Sequence, residues 1–418
     1  MKHCAISPAQ DVSSIELFYD VMLVYCLSVL TSTMHHTEGG SFGLDQWISF
    51  TFAYMVILQT WVFSIFLMNR FGNRSVGDSL CLLVNMFLLY FIANSFQSGW
   101  ESSPVSFAVP WVLMTANLIV HCLTKRLGKG GLDAQDKRIL NATITVLAIQ
   151  LAFALAAALL PAGAGVAASW AGCMTGAGMF SQSRALRSKP ANFEHLCERC
   201  RLITIIAFGE MVAVIAVFVT IRGGSEWWVT MLAFSLVVGM FFIYMYEHDH
   251  MIDRHAESDG MAFLLMSAWV IYVIGNVAVA LEYMALDEVL PRPKVMYLTA
   301  GIVLYLVTSF LLGRFNKKEF TYSVPYAIGR VIACIFVIVP AVMGLDPILV
   351  LVCDTVAVYL AFLHERLLYH GRMKLLEFAE ANEDPGAVRS AFESGKTRRA
   401  VIRAYRASSK GDNKDPER

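Results

Sequence analysis

Glu16 and Asp20 stand one helical turn apart inside the apolar run from Val12 to Met34. A charge in a spanning helix costs at least ~2.5 kcal/mol near the centre, so acids there face protein or water and mark a pathway or a structural charge pair. Acids recur in later apolar runs at Glu198, Glu210 and Asp354. Two chemistries suit this set. The first is ion pairing: Glu16 and Asp20 share a face at i and i+4, within reach of Arg70 or Arg74 on the next loop, while Glu198 has Arg201 at i+3 or Arg184. The second is proton or cation passage. Glu210 and Asp354 lie near the middle of their runs with no basic neighbour in sequence, which leaves protonation or a distant partner such as Arg330. A clamp of ion pairs is the expectation for the first group, and an ion pathway for Glu210, Asp354 and Arg330.

The elements that position these residues are membrane helices. Apolar residues make up 57% of the 418-residue chain and charged ones only 16%, and runs of about 20 apolar residues recur, which excludes a soluble protein. Twelve spans fit between Ser14 and Leu363, the sixth (Val166 to Gln182) and the twelfth (Pro347 to Leu363) being short. The N-terminal segment, alternate loops and the C-terminal tail together hold 27 of the 33 Lys and Arg residues, so these loops and both termini are expected in the cytoplasm. Arg199, Arg201 and Arg330 fall inside spans, where a cation needs a partner. The first run opens with two acids and is followed by no cleavage site, so it is expected to remain in the mature protein.

An offset of about 182 residues superimposes Glu16 on Glu198 and brings Asp78 close to Asp259, and these two acids follow Arg74 and His255 respectively by four residues, a helical spacing. The expected fold is therefore all-α and polytopic, with about 12 transmembrane helices as two parallel six-helix repeats, 1–182 and 183–366. Residues 367–418 form a charged tail. There Arg398, Arg399, Arg403 and Arg406 alternate with apolar residues, as in an amphipathic helix resting on anionic lipid; nucleic acid is not an expected partner.

Cys197 and Cys200 form a single pair where zinc usually takes four ligands, so no metal and no cofactor is expected. His248, Asp249, His250, Asp253, His255, Glu257 and Asp259 carry metal-capable side chains on one loop, for which plain solvation is the expectation. This is also the only polar cluster that would suit a membrane enzyme, and an enzyme is not expected.

The run Ser14-Ile15-Glu16-Leu17-Phe18-Tyr19-Asp20-Val21 resembles the opening signature of the bacterial low temperature requirement A family. The segment from His195 through Glu198 and Arg201 to Gly209-Glu210 resembles its second signature, and Trp61 with Asn69-Arg70-Phe71 fits the helix between. The resemblance implies a polytopic protein of the bacterial inner membrane and a charge network of Glu16, Asp20, Arg70, Arg74, Asp78, Glu198, Arg201, His255 and Asp259. It implies no settled activity. Asp20, Trp61 and the His255/Asp259 pair are also similar in type and order to motifs of six-helix-repeat potassium channels, an analogy that puts a pore lining on spans one and seven. An ion or small-solute transporter or channel with its path between the repeats, carrying a monovalent cation or proton, is the functional expectation. A non-transporting sensor or assembly factor is the alternative.

Overall fold

Two helices start where a serine stands three residues ahead of an acid. Ser13 donates from its backbone N–H (3.1 Å) and its Oγ (2.7 Å) to Glu16 Oε2, and Asp78 Oδ2 likewise accepts from the N–H groups of Ser75 (3.3 Å) and Asn73 (3.2 Å) while its own N–H donates to Ser75 Oγ. Each acid satisfies donors that the first helical turn leaves without partners. Ser75→Ala is expected to destabilise the fold by about 1 kcal/mol, read as a lower unfolding midpoint in detergent.

The computed structural model describes residues 12–35, 40–41, 43–73, 75–96, 104–128, 131–222, 227–321 and 323–381. The helices are α1 (Ser14–Ser32), α2 (Leu44–Phe71), α3 (Val76–Ser95), α4 (Pro104–Leu127), α5 (Ala134–Leu159), α6 (Ala162–Gln182), α7 (Phe193–Arg222), α8 (Trp227–Tyr246), α9 (Met261–Ala285), α10 (Pro291–Leu312), α11 (Val324–Val342) and α12 (Pro347–Ala381). Among the described residues there is no strand, only an isolated bridge between Ile252 and Asn316. Among the described residues, ten of the helices are long and apolar enough to cross a bilayer. The other two are α6, rich in Ala and Gly, and α7, whose first turns carry Glu194, Glu198, Arg199 and Arg201.

The outside of the bundle is apolar. On α11, Ile328, Val331, Ile332 and Ile335 are exposed while Tyr326, Arg330, Ala333 and Val337 are buried, the inverse of a soluble helix and the pattern lipid requires. The most enclosed helices are α2 and α9, with 89% and 83% of their spans buried. In the first half α1 packs on α3, and α3, α4, α5 and α6 pack in succession; in the second, α7 packs on α9, and α9, α10, α11 and α12 follow in succession. Contacts of α1 with α7 and of α2 with α9 join them.

Two expectations about these elements change. The twelfth helix is the longest, 35 residues, and runs through the expected boundary at 366 because its pattern continues past the last apolar residue of the span. His255 and Asp259 do not share a helix: α9 begins only at Met261, after Gly260 in the left-handed conformation (φ 70°). Asp78 is the third residue of α3, while its expected partner Arg74 lies outside the described residues, as does the tail segment 398–406.

Candidate functional site

The loops that follow α2, α4, α6, α8 and α10 meet at one face of the bundle. Asn69 and Asn192 exchange two hydrogen bonds, Asn69 Nδ2 donating to Asn192 O (2.9 Å) and Asn192 N to Asn69 Oδ1 (3.1 Å). Arg70 lies over the Phe66 ring and donates to the carbonyls of Lys189 (2.7 Å) and Asp259 (2.8 Å). Arg187 donates to Asp259 (2.8 Å), Lys189 to Asp136 (2.8 Å), and Asp253 N to Phe315 O (3.0 Å). The N–H of Asp136 holds the Asp133 carboxyl below its ordinary pKa, and hydrogen bonding to Asp136 raises that of the Lys189 ammonium. The Arg187 and Lys189 ion pairs, each with one well-exposed partner, are weak individually, and with the part-buried bonds of Asn69 and Arg70 they fix loop geometry as a set.

Beneath this face sits the first buried charge group. Glu16 and Asp20 meet Arg199 of α7, rather than Arg70, whose guanidinium is committed to the loop carbonyls. Arg199 Nη1 donates to Glu16 Oε1 (2.8 Å), and its Nε and Nη2 donate to the two oxygens of Asp20 (both 3.2 Å). Trp61 Nε1 of α2 donates to Asp20 Oδ1 (2.9 Å). All four side chains are buried, and every carboxylate oxygen in the group accepts a hydrogen bond. The triad thus rivets α1 and α2 to α7 at full donor–acceptor balance. Glu198 is half-buried and lies outside the triad, and Arg201 pairs with Asp249 (3.1 Å) rather than with Glu198. Asp78 forms a separate pair of contacts within the first half, with Lys125 (2.5 Å) and His121 (3.0 Å) of α4.

Three turns further along α1 and α7 a cavity of about 20 Å³ lies between α1, α2, α7 and α9. That is room for about one water molecule. Its polar lining is Ser28, Thr31, Tyr54 and Glu210, and Gly275 of α9 forms part of its wall. Ser28 Oγ donates to Glu210 Oε1, and Tyr54 Oη donates to Ile271 O (3.3 Å). A side chain at 275 would overlap the Tyr54 hydroxyl, so glycine is what lets α9 approach there. A larger cavity of about 190 Å³ between α2, α6 and α9 is lined mostly by apolar groups, among them Met55, Leu58, Met174 and Trp269, with Gln59 and Tyr272 as polar exceptions and no charged side chain.

Asp354 is fully buried on α12, and neither of its oxygens has a hydrogen-bond partner. Arg330 is not its counter-charge, because Arg330 is taken by Glu247 and Glu365. The 248–259 loop side chains disperse: His248 is buried, Asp249 meets Arg201 and Arg254, and His255 lies 3.8 Å from Glu194. Among the described residues no three His, Cys, Asp or Glu side chains converge as metal ligands.

Sequence spacing missed Arg199 as the partner of both acids, and missed Glu247, Glu365, Ser28 and Tyr54. The signal available for Arg199 was its place inside a span one residue from Glu198. Neither a curated protein nor a solved structure matches the chain. Residues 11–363 match the model described as "Bacterial low temperature requirement A protein (LtrA)". With that match over most of its length and its many membrane-spanning helices, the chain is a multi-pass membrane protein that belongs to the LtrA family.

Proposed function

We propose that this protein moves a proton across the membrane along the seam between α1 and α7, with Glu210 as the carboxyl group that carries it. The observation that carries this reading is the position of Glu210. Its carboxylate lines a water-sized cavity walled by helices of both halves, the kind of site where an acid in a membrane has a functional use. A single water linking Ser28, Tyr54 and Glu210 suffices to relay a proton, whereas a hydrated metal cation would need far more room. The apolar remainder of the lining, including Val24, Leu27, Met211 and Val214, keeps the seam closed to bulk water.

The reading also rests on two parallel six-helix repeats. The offset of 182 that aligns Glu16 with Glu198 aligns Ser28 with Glu210, and these two are hydrogen-bonded to each other. Equivalent residues touch only where they approach a pseudosymmetry axis, which is where parallel-repeat transporters hold their cargo. The successions of packed helices in the two halves agree with this. Departures occur at α2, which is lodged against α9, while its counterpart α8 packs on α12. The basic loop face then lies in the cytoplasm, and the Arg199 triad closes the seam from that side as a fixed structural point.

The test is flux through purified protein in liposomes under proton, potassium and sodium gradients imposed in turn. Wild type is expected to dissipate the proton gradient, and Glu210→Gln to lower that flux at least tenfold while eluting as folded protein. Asp20→Asn is expected to reduce folded yield instead. Folded wild type that is silent for all three ions, or a Glu210→Gln protein with unchanged flux, overturns the proposal in favour of a non-transporting role.

A further inference from the structure

The second half holds a charge group with the same inventory as the Arg199 triad and a different outcome. Arg330, on the buried face of α11, faces Glu247 at the end of α8 and Glu365 of α12. Its Nη2 donates to both, at 3.2 Å to Glu247 Oε1 and 2.5 Å to Glu365 Oε2. Tyr326 Oη donates to Glu247 Oε1 (3.1 Å) and accepts from Arg330 Nε (3.3 Å). Glu247 and Glu365 are 1% and 0% exposed. Glu247 belongs to a π-helical turn, Glu247–Met251, a distortion that recurs at functional sites.

In the Arg199 triad every carboxylate oxygen is donated to. Here Glu247 Oε2, Glu365 Oε1 and Arg330 Nη1 are buried without a partner, although the two carboxyl groups lie within hydrogen-bonding reach of each other. Two carboxylates are both acceptors and cannot bond unless one carries a proton. Charge count is the same in the two groups, one guanidinium against two buried carboxylates, so the unpartnered oxygens are what set this one apart, and a shared proton supplies the missing bond while lowering the buried negative charge. Among the described residues no other neighbour supplies that charge or that hydrogen bond. Tyr305 of α10 donates to Met240 O and Tyr369 of α12 faces Thr321 O. Tyr246 of α8 and half-buried His364 of α12 stand nearby, and Arg366 is exposed.

We infer that Glu247 and Glu365 hold one exchangeable proton between them, anchored by Arg330, so that the second half contains a proton-binding site separate from Glu210. The proton belongs to the pair rather than to either residue. Asp354 lies eleven residues before Glu365, three turns away on the same buried face of α12, with Val358 and Ala361 between. The inference does not depend on flux through the α1/α7 seam.

Infrared difference spectroscopy of the purified full-length protein in H2O and D2O tests it through the carbonyl stretch of a protonated carboxylic acid. The wild-type minus Glu365→Gln and wild-type minus Glu247→Gln differences are each expected to contain one deuterium-sensitive protonated-carboxyl band at the same frequency. Glu210→Gln and Asp354→Asn should leave that band in place, and Glu365→Asp, which keeps the acid, should retain it with a shifted frequency. Difference spectra containing only carboxylate bands overturn the inference, as do carboxylate bands that respond to added sodium or potassium, which would make the occupant a metal cation. A wild type with no deuterium-sensitive protonated carboxyl overturns it without any variant.

Discussion

Arg199→Gln is expected to destabilise the protein by about 3–5 kcal/mol, the range for breaking a buried ion pair by removing one partner. Arg199 is the shared counter-charge of Glu16 and Asp20, and it supplies three of the hydrogen bonds their carboxylates accept. Without it two acids on one face of α1 retain only Ser13 and Trp61 as donors. Either both carboxyls take up protons, at the expense of the α1–α7 contact, or the helices separate and admit water. The measurement is the unfolding midpoint in detergent. Glu16→Gln, which leaves one acid on one guanidinium, should have the milder effect. Combining Arg199→Gln with Asp20→Asn should recover part of the loss, since the double variant no longer strands the second carboxylate. An Arg199→Gln protein as stable as wild type would show that the triad contributes nothing to the fold.

The second large effect is expected at Trp61. Trp61→Ala should cost about 3–5 kcal/mol, as for other large aromatic truncations in a packed core, because the ring is fully buried in the centre of α2. Trp61→Phe separates two contributions. It keeps most of the packing and removes only the indole N–H bond to Asp20 Oδ1, whose loss should cost about 1.5–3 kcal/mol, as for hydrogen bonds to charged groups. In an Asp20→Asn background the Trp61→Phe effect should shrink, because the acceptor is no longer charged. Equal effects of Trp61→Phe in the two backgrounds would mean that the hydrogen bond to a charged Asp20 is not what the ring supplies.

Much of this molecule is local and therefore readable along the chain. Apolar runs of spanning length set the helices, since lipid leaves the backbone no other way to satisfy its hydrogen bonds. Ser13 with Glu16 and Ser75 with Asp78 are capping boxes legible as a serine followed three residues later by an acid, although their spacing to Arg70 and Arg74 suggested ion pairs instead. The gathering of basic residues on alternate loops likewise anticipated which connections meet at one face. The left-handed turn at Gly260, which delays α9 and separates His255 from any helix, was not evident from an i, i+4 count.

Partner choice was decided by the tertiary structure. Arg70 and Arg199 are both candidates for Glu16 and Asp20 by charge, but Arg70 ends α2 at the loop face, where carbonyls of residues 189 and 259 surround it, while α7 presses Arg199 onto the acidic face of α1. Arg330 and Asp354 are both inside spans of the second half, but Glu247 and Glu365 occupy the guanidinium and leave Asp354 with none. Glu210 and Ser28 are 182 residues apart and meet only because α1 and α7 pack together. A helix and its cap depend on residues within one or two turns, so the sequence by itself determines them. Which charge meets which depends on the faces that a dozen helices bury against one another, and close packing permits only one arrangement of these at a time.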